Sequence, residues 1–120
     1  MEEKHVLGKK GEEFAQKYLD EHSYTILERN WRNNKAEIDI IAKKNNWMVF
    51  IEVKTRSSEA FGSPETFVSE KQQGLIISAA HQYIEKNDLD LEARFDIITL
   101  IPNENEFEIN HIQDAFSPLL

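Results

Sequence analysis

The sequence predicts a single α/β domain spanning residues 1–120, with a mixed central sheet and a helix on each side. Three observations carry that expectation. Two segments, residues 4–22 and 69–87, repeat apolar residues at helical spacing. Residues 36–56 alternate with a period of two around Asn45-Asn46 and read as a β-hairpin. Residues 94–101 form a near-continuous apolar run, the pattern of a strand buried on both faces.

In chain order, the first helix rests on Leu7, Phe14, Ala15, Tyr18 and Leu19, which follow i, i+3/4, i+7 spacing. At about 100° per residue, Glu12 falls on the edge of that stripe, whereas Glu13 points away from it. Gly8 and Gly11 each cost roughly 1 kcal/mol relative to Ala in a helix interior. Close approach to the sheet or to a ligand accounts for both, and fraying at the N-terminus is the other reading of Gly8. Residues 24–31 read as a first strand, followed by the polar connection Arg32-Asn33-Asn34-Lys35. In the hairpin, Ile38, Ile40 and Ala42 alternate with Asp39, Ile41 and Lys43, and Trp47, Val49, Ile51 and Val53 with Met48, Phe50, Glu52 and Lys54. Asn tolerates the positive φ of tight turns, so Asn45 and Asn46 take the centre.

Residues 57–64, which include Phe61, are turn-rich and aperiodic, as expected of a mobile loop beside a site. The second helix starts at a capping box formed by Ser69 and Gln72, and buries Leu75, Ile76, Ala79, Ala80, Tyr83 and Ile84. Asp96 caps or pairs near the end of the strand at 94–101. Residues 107–112 alternate as a last strand, and the four histidines show no metal-ligand spacing.

Composition narrows the function. Cysteine is absent, which excludes disulfides and thiolate chemistry. The charged N-terminus lacks a signal peptide's apolar core, and no apolar run approaches the ~20 residues of a membrane span. The expected location is the cytoplasm, with no membrane partner. Net charge is −8, unevenly spread: residues 1–60 hold 11 basic and 11 acidic residues, whereas residues 61–120 hold 3 and 11. Basic residues cluster around the hairpin, among them Lys9, Arg32, Lys54 and Arg56. A polyanion therefore has one face to bind, against an unfavourable overall field. The other reading is a solvated surface.

With Asn45 and Asn46 at the turn centre, Lys44 faces Trp47, Asp39 faces Glu52, and Glu37 faces Lys54. Facing side chains have Cβ atoms about 4.5–5.5 Å apart. Two carboxylates that close repel unless a cation lies between them or one holds a proton. The arrangement reads either as a divalent-metal site with a lysine beside it, or as the polar face of an ordinary hairpin.

The ordered motifs add to this. They are Gly8-Lys9-Lys10-Gly11-Glu12, Ile26-Leu27-Glu28-Arg29-Asn30-Trp31-Arg32, Glu37-Ile38-Asp39-Ile40-Ile41, Val49-Phe50-Ile51-Glu52-Val53-Lys54-Thr55-Arg56, Lys71, and Arg94-Phe95-Asp96-Ile97-Ile98. Together they resemble the PD-(D/E)XK nuclease core, or restriction-endonuclease-like fold, with element order αβββαββ. More closely, they resemble the YraN family of uncharacterised bacterial proteins, relatives of archaeal Holliday-junction resolvases. The resemblance implies that Asp39, Glu52, the carbonyl of Val53 and Glu12 hold Mg²⁺, with Mn²⁺ as substitute. It implies that Lys54 orients the attacking water, and that Lys71 and Gln73 contact phosphate; Arg32, Arg56 and Lys9, from the basic cluster, are further candidate nucleic-acid contacts. The family implies a nuclease site and supplies no substrate; the leading expectation is endonucleolytic cleavage of branched or structured DNA, with a homodimer to match a two-fold junction. A nucleic-acid-binding module with a vestigial site and a small-nucleotide phosphodiesterase are the alternatives. The chain departs from the family pattern at Ala36, where glycine is usual, and at Gln72-Gln73-Gly74, where basic residues are usual.

Overall fold

The structure, a computed structural model, describes residues 2–56, 67–87, 89–104 and 106–117. The expected loop at 57–64, with Phe61, lies outside the described residues. The element order is α1 (Glu2–Glu21), β1 (Thr25–Asn33), β2 (Ala36–Lys44), β3 (Trp47–Thr55), α2 (Glu70–Lys86), β4 (Glu92–Asn103) and β5 (Glu106–Phe116). The five strands form one sheet in sequential order. β3 and β4 pair in parallel, across the α2 connection, and the other neighbours are antiparallel. This is the mixed-sheet αβββαββ arrangement expected from the sequence.

The helices cover opposite faces. Ala15 and Leu19 of α1 pack on Ile40, Val49, Ile51, Ile98 and Leu100. Ile76, Ala79, Ala80 and Tyr83 of α2 pack on Ile38, Ile41, Phe50, Phe95 and Ile97. β3 and β4 send residues into both cores, which is why their sequences are apolar almost throughout. Ser69 caps α2 by accepting the Gln72 N–H at 3.2 Å. Gly11 lets α1 approach β3: a Cβ there would collide with Thr55 Oγ1 and crowd Leu100. Among the described residues, nothing lies within 4 Å of the position a Gly8 Cβ would take.

The turns match their residues. Asn45 adopts φ 54° between β2 and β3, and Asn34 adopts φ 57° between β1 and β2. β1 continues through Asn33, so the connection is a two-residue turn at Asn34-Lys35 and not the four-residue one expected. β5 also runs further than residues 107–112. Polar Gln113 and Asp114 interrupt its alternation, and a register irregularity there, with Asp114 at φ 52°, carries the strand on to Phe116, which stacks on Phe95 at 5.3 Å.

Asp96 is not at a strand end. It is fully buried in β4, where both its oxygens face Arg94, at 3.0 and 2.8 Å. His111 Nε2 lies 2.7 Å from Asp96 Oδ2, and the Asp114 N–H donates to Oδ1 at 3.0 Å. Arg94 also donates to the Tyr24 hydroxyl, and Tyr18 reaches His111 Nδ1. Burial pushes the Asp96 carboxyl upward, but His111, Arg94 and the Asp114 N–H outweigh it and hold the pKa below its ordinary value. The network ties α1, β4 and β5 to Tyr24, the residue leading into β1.

Candidate active site

β2 and β3 pair in the expected register from Lys44↔Trp47 to Ile40↔Ile51, and there the pairing stops. Asp39 and Glu52 are next in line, and their side chains replace the backbone ladder. Asp39 Oδ2 accepts the Val53 N–H at 2.8 Å, and Glu52 Oε1 faces the Asp39 N–H at 3.4 Å. The two strands part at this point. The Glu37–Lys54 pairing expected one step further does not form, because Glu37 turns to Arg32 at 2.7 Å.

A break in alternation accompanies the parting. Ile38 and Ile41 both enter the α2-side core, whereas Ile40 enters the α1-side core. The parity of β2 therefore slips by one residue at Asp39. The expected grouping of Ile38 and Ile40 on one face does not hold. β1 slips at the facing position. Arg29 bonds Gln16 of α1, whereas Trp31 packs on Tyr83 of α2. Arg29↔Ile40 and Trp31↔Ile38 remain paired, but Asn30 and Asp39 are skipped between them. Asn30 sits there at φ 51°. The end of the β1–β2 hairpin thus bends toward α2, where Asn33 bonds Gln82, and leaves a gap beside β3.

That gap is an open cleft of about 840 Å³. It gathers Glu12 and Lys9 from α1, Asp39 from β2, and Glu52, Val53, Lys54 and Arg56 from β3 or just beyond it. Arg56 also lies over the Phe67 ring at 5.9 Å. Three nucleic-acid candidates fall outside the cleft. Arg32 is exposed and paired with Glu37. Lys71 is exposed on α2, and Gln73 donates its side-chain N–H to the Val68 carbonyl. The first turn of α2 contributes Gln72 instead, and Asn30, Gly8 and Glu37 complete much of the lining. A sequence signal existed for Gly8, as a glycine within a helix. Asn30 gave none, because a single Asn in a strand reads as surface.

The electrostatics are those of a crowded acidic pair. Glu52 is only 4 % exposed. Burial, with Asp39 beside it, pushes the Glu52 carboxyl from 4.5 up to about 8. Burial also raises Asp39, against the Val53 N–H and the Lys54 charge. Glu12 is raised by burial first and then by Asp39 and Glu37. Among the described residues no three acidic or histidine side chains converge into a ready-made metal cage. The donor set nonetheless fits a hard cation. It consists of two coupled carboxylates on rigid strands, with Glu12 standing off. Mg²⁺ characteristically takes one or two carboxylates and keeps several waters.

The family model described as uncharacterised protein family UPF0102 matches residues 11–100. A UPF0102 protein of Christiangramia forsetii is 52% identical over 116 residues, covering 97% of this chain and 98% of that protein. A UPF0102 protein of Bacteroides thetaiotaomicron is 45% identical over 120 residues, covering 100% of this chain and 99% of the relative. One of Phocaeicola vulgatus is 45% identical over 118 residues, covering 98% of each.

Proposed function

The chain belongs to uncharacterised protein family UPF0102, and on that premise we propose that it is a Mg²⁺-dependent endonuclease acting on branched or structured DNA. The observation that carries the reading is the meeting of Asp39 and Glu52 where β2 and β3 part, with Lys54 beside them in an open cleft. A hydrogen-bonded, protonated acid pair would need no lysine and no opening to solvent.

Asp39 and Glu52 would hold the cation, with the Val53 carbonyl and Glu12 as further oxygen ligands. Bound Mg²⁺ supplies Lewis acidity toward a phosphodiester and an attacking water. The chain's own residues do the rest. The Val53 N–H fixes one Asp39 oxygen and leaves the other free to ligate. Lys54, half-buried two residues beyond Glu52, orients the water and offsets charge developing on the phosphorus oxygens. Lys9 and Arg56 flank the opening and meet the neighbouring phosphates. Two copies of the chain related by a dyad would cut a two-fold junction symmetrically.

The −8 net charge favours a second reading, a phosphodiesterase acting on a small nucleotide. One experiment separates the two. A labelled four-way DNA junction and a free dinucleotide are each incubated with Mg²⁺ and wild type, Asp39→Asn or Glu52→Gln. The nuclease reading expects the junction to be cut by wild type alone. Cutting of the junction by both variants at the wild-type rate would overturn the site, and turnover of the dinucleotide unaffected by excess junction would favour the second reading.

A further inference from the structure

Two residues bordering the cleft are unfavourable for their own elements: a Cβ at Gly8 would meet no packing contact among the described residues, and Asn30 holds the slip of β1 that sends Trp31 toward α2. Gly8 lies inside α1, where glycine costs roughly 1 kcal/mol relative to alanine. Unlike Gly11, it has no described residue within 4 Å of where a Cβ would stand. Asn30 lies inside β1 at φ 51°, a left-handed conformation that interrupts the ladder opposite Asp39. It is exposed, and among the described residues no side-chain hydrogen bond engages it. Locally unfavourable backbone choices concentrate at functional sites. Both residues line the same cleft, Gly8 from the helix wall and Asn30 from the sheet wall.

We propose that Gly8 and Asn30 form a subsite for the phosphodiester strand on the β1 side of the Asp39–Glu52 pair. Gly8 leaves room for the strand to run against the α1 backbone. Asn30 donates its carboxamide N–H to a phosphate oxygen, with Lys9 supplying charge next to Gly8. Among the described residues, Glu12, Glu37, Asp39 and Glu52 line the cleft against Lys9, Lys54 and Arg56. A neutral donor therefore suits the wall nearest Asp39: it binds phosphate without competing with the cation for the carboxylates. The inference rests on the nuclease reading and gives it a strand path.

The test uses Gly8→Ala and Asn30→Gly in the full chain. Gly8→Ala improves the helix, and Asn30→Gly keeps the positive φ while removing only the carboxamide. Junction binding is read by fluorescence anisotropy in Ca²⁺, and Mn²⁺ binding by calorimetry. The subsite expects both variants to take up Mn²⁺ as wild type does. It expects Asn30→Gly to bind the junction roughly tenfold to a hundredfold more weakly, the scale of one hydrogen bond to a charged group, and Gly8→Ala to bind more weakly because its methyl group occupies the strand's path. Gly8→Ala should do so while melting at a higher temperature than wild type. Wild-type junction affinity in either variant overturns the subsite while leaving the nuclease reading intact. Loss of Mn²⁺ binding in either also overturns it, since the residue then acts through the metal pair. A wild type that takes up Mn²⁺ but binds no junction overturns both readings. Should Asn30→Gly fail to fold, Asn30→Asp takes its place: it keeps the size and the tolerance for φ 51° but sets an acceptor against phosphate, and an unchanged affinity overturns the subsite.

Discussion

Glu52 joins the ionisation of the site to the stability of the fold. Its carboxyl is held at about 8 in the folded chain, against 4.5 ordinarily. A carboxyl raised on folding contributes its stabilisation below the unfolded value, and loses it as pH rises through the folded one. The melting temperature of the metal-free protein should therefore fall between about pH 5 and pH 8, and Glu52→Gln should flatten that slope. Thermal melts across that range check it, and an unchanged slope in the variant would place the shift elsewhere. Cation binding must displace the same proton, so Mn²⁺ affinity should climb over the same interval. On the nuclease reading, Lys54 would act on the reaction more than on cation uptake. Lys54→Ala should bind Mn²⁺ normally and cleave a junction ~10²–10³-fold more slowly, the scale for removing one preorganised electrostatic group.

At the scale of elements, the site exists because β2 leaves β3 after Ile40, and because α1 lies close enough to bring Glu12 to the gap. The second condition depends on Gly11. A Cβ at Gly11 meets Thr55 Oγ1 and Leu100, so Gly11→Ala must displace the Thr55 hydroxyl or push α1 outward. Overpacking of this kind costs ~1–3 kcal/mol, against a helix-propensity gain of about 1. A lower denaturation midpoint and slower cleavage should appear together in this variant, and a stabilised, fully active Gly11→Ala would contradict the placement of Glu12. The other interlock is Asp96 with Arg94 and His111. Asp96→Ala leaves the buried Arg94 unpaired and should cost ~3–5 kcal/mol in a denaturant titration. Because Asp96 is held below its ordinary pKa, its contribution is present above about pH 4 and is lost as pH falls through the folded value. Periodicity made both helices and the β2–β3 register legible in the sequence, since apolar spacing reports which face is buried. It placed Asp39 beside Glu52 for a reason that proved incomplete. The pair meets through side-chain-to-backbone bonds where the ladder ends, helped by parity slips at Asn30 and Asp39 that no local pattern announces. The partnership of Asp96 and His111 was hidden for a related reason. It depends on the strand pairing of β4 with β5 and on an irregularity in β5, both of which are tertiary facts.

On the scale of the whole molecule, the charge distribution decides how a polyanion can bind. The chain carries −8, and residues 61–120 hold the excess acid. No helix among the described residues is long and apolar enough to cross a membrane. On the nuclease reading, the overall negative field opposes a phosphodiester until a divalent cation, displacing the Glu52 proton, adds positive charge to the cleft. Junction affinity should be weak in chelator, rise steeply with Ca²⁺, and fall with added salt. Affinity equal in chelator and in Ca²⁺ would point to a binding surface away from Asp39 and Glu52. The most direct test of the metal site itself is calorimetric titration of Mn²⁺ at about pH 8, where Glu52 ionises readily, into wild type and Asp39→Asn. The expected result is saturable binding to wild type that the substitution removes. Wild type that takes up no Mn²⁺, alone or with a non-cleavable four-way junction present, would contradict a working metal site in this fold.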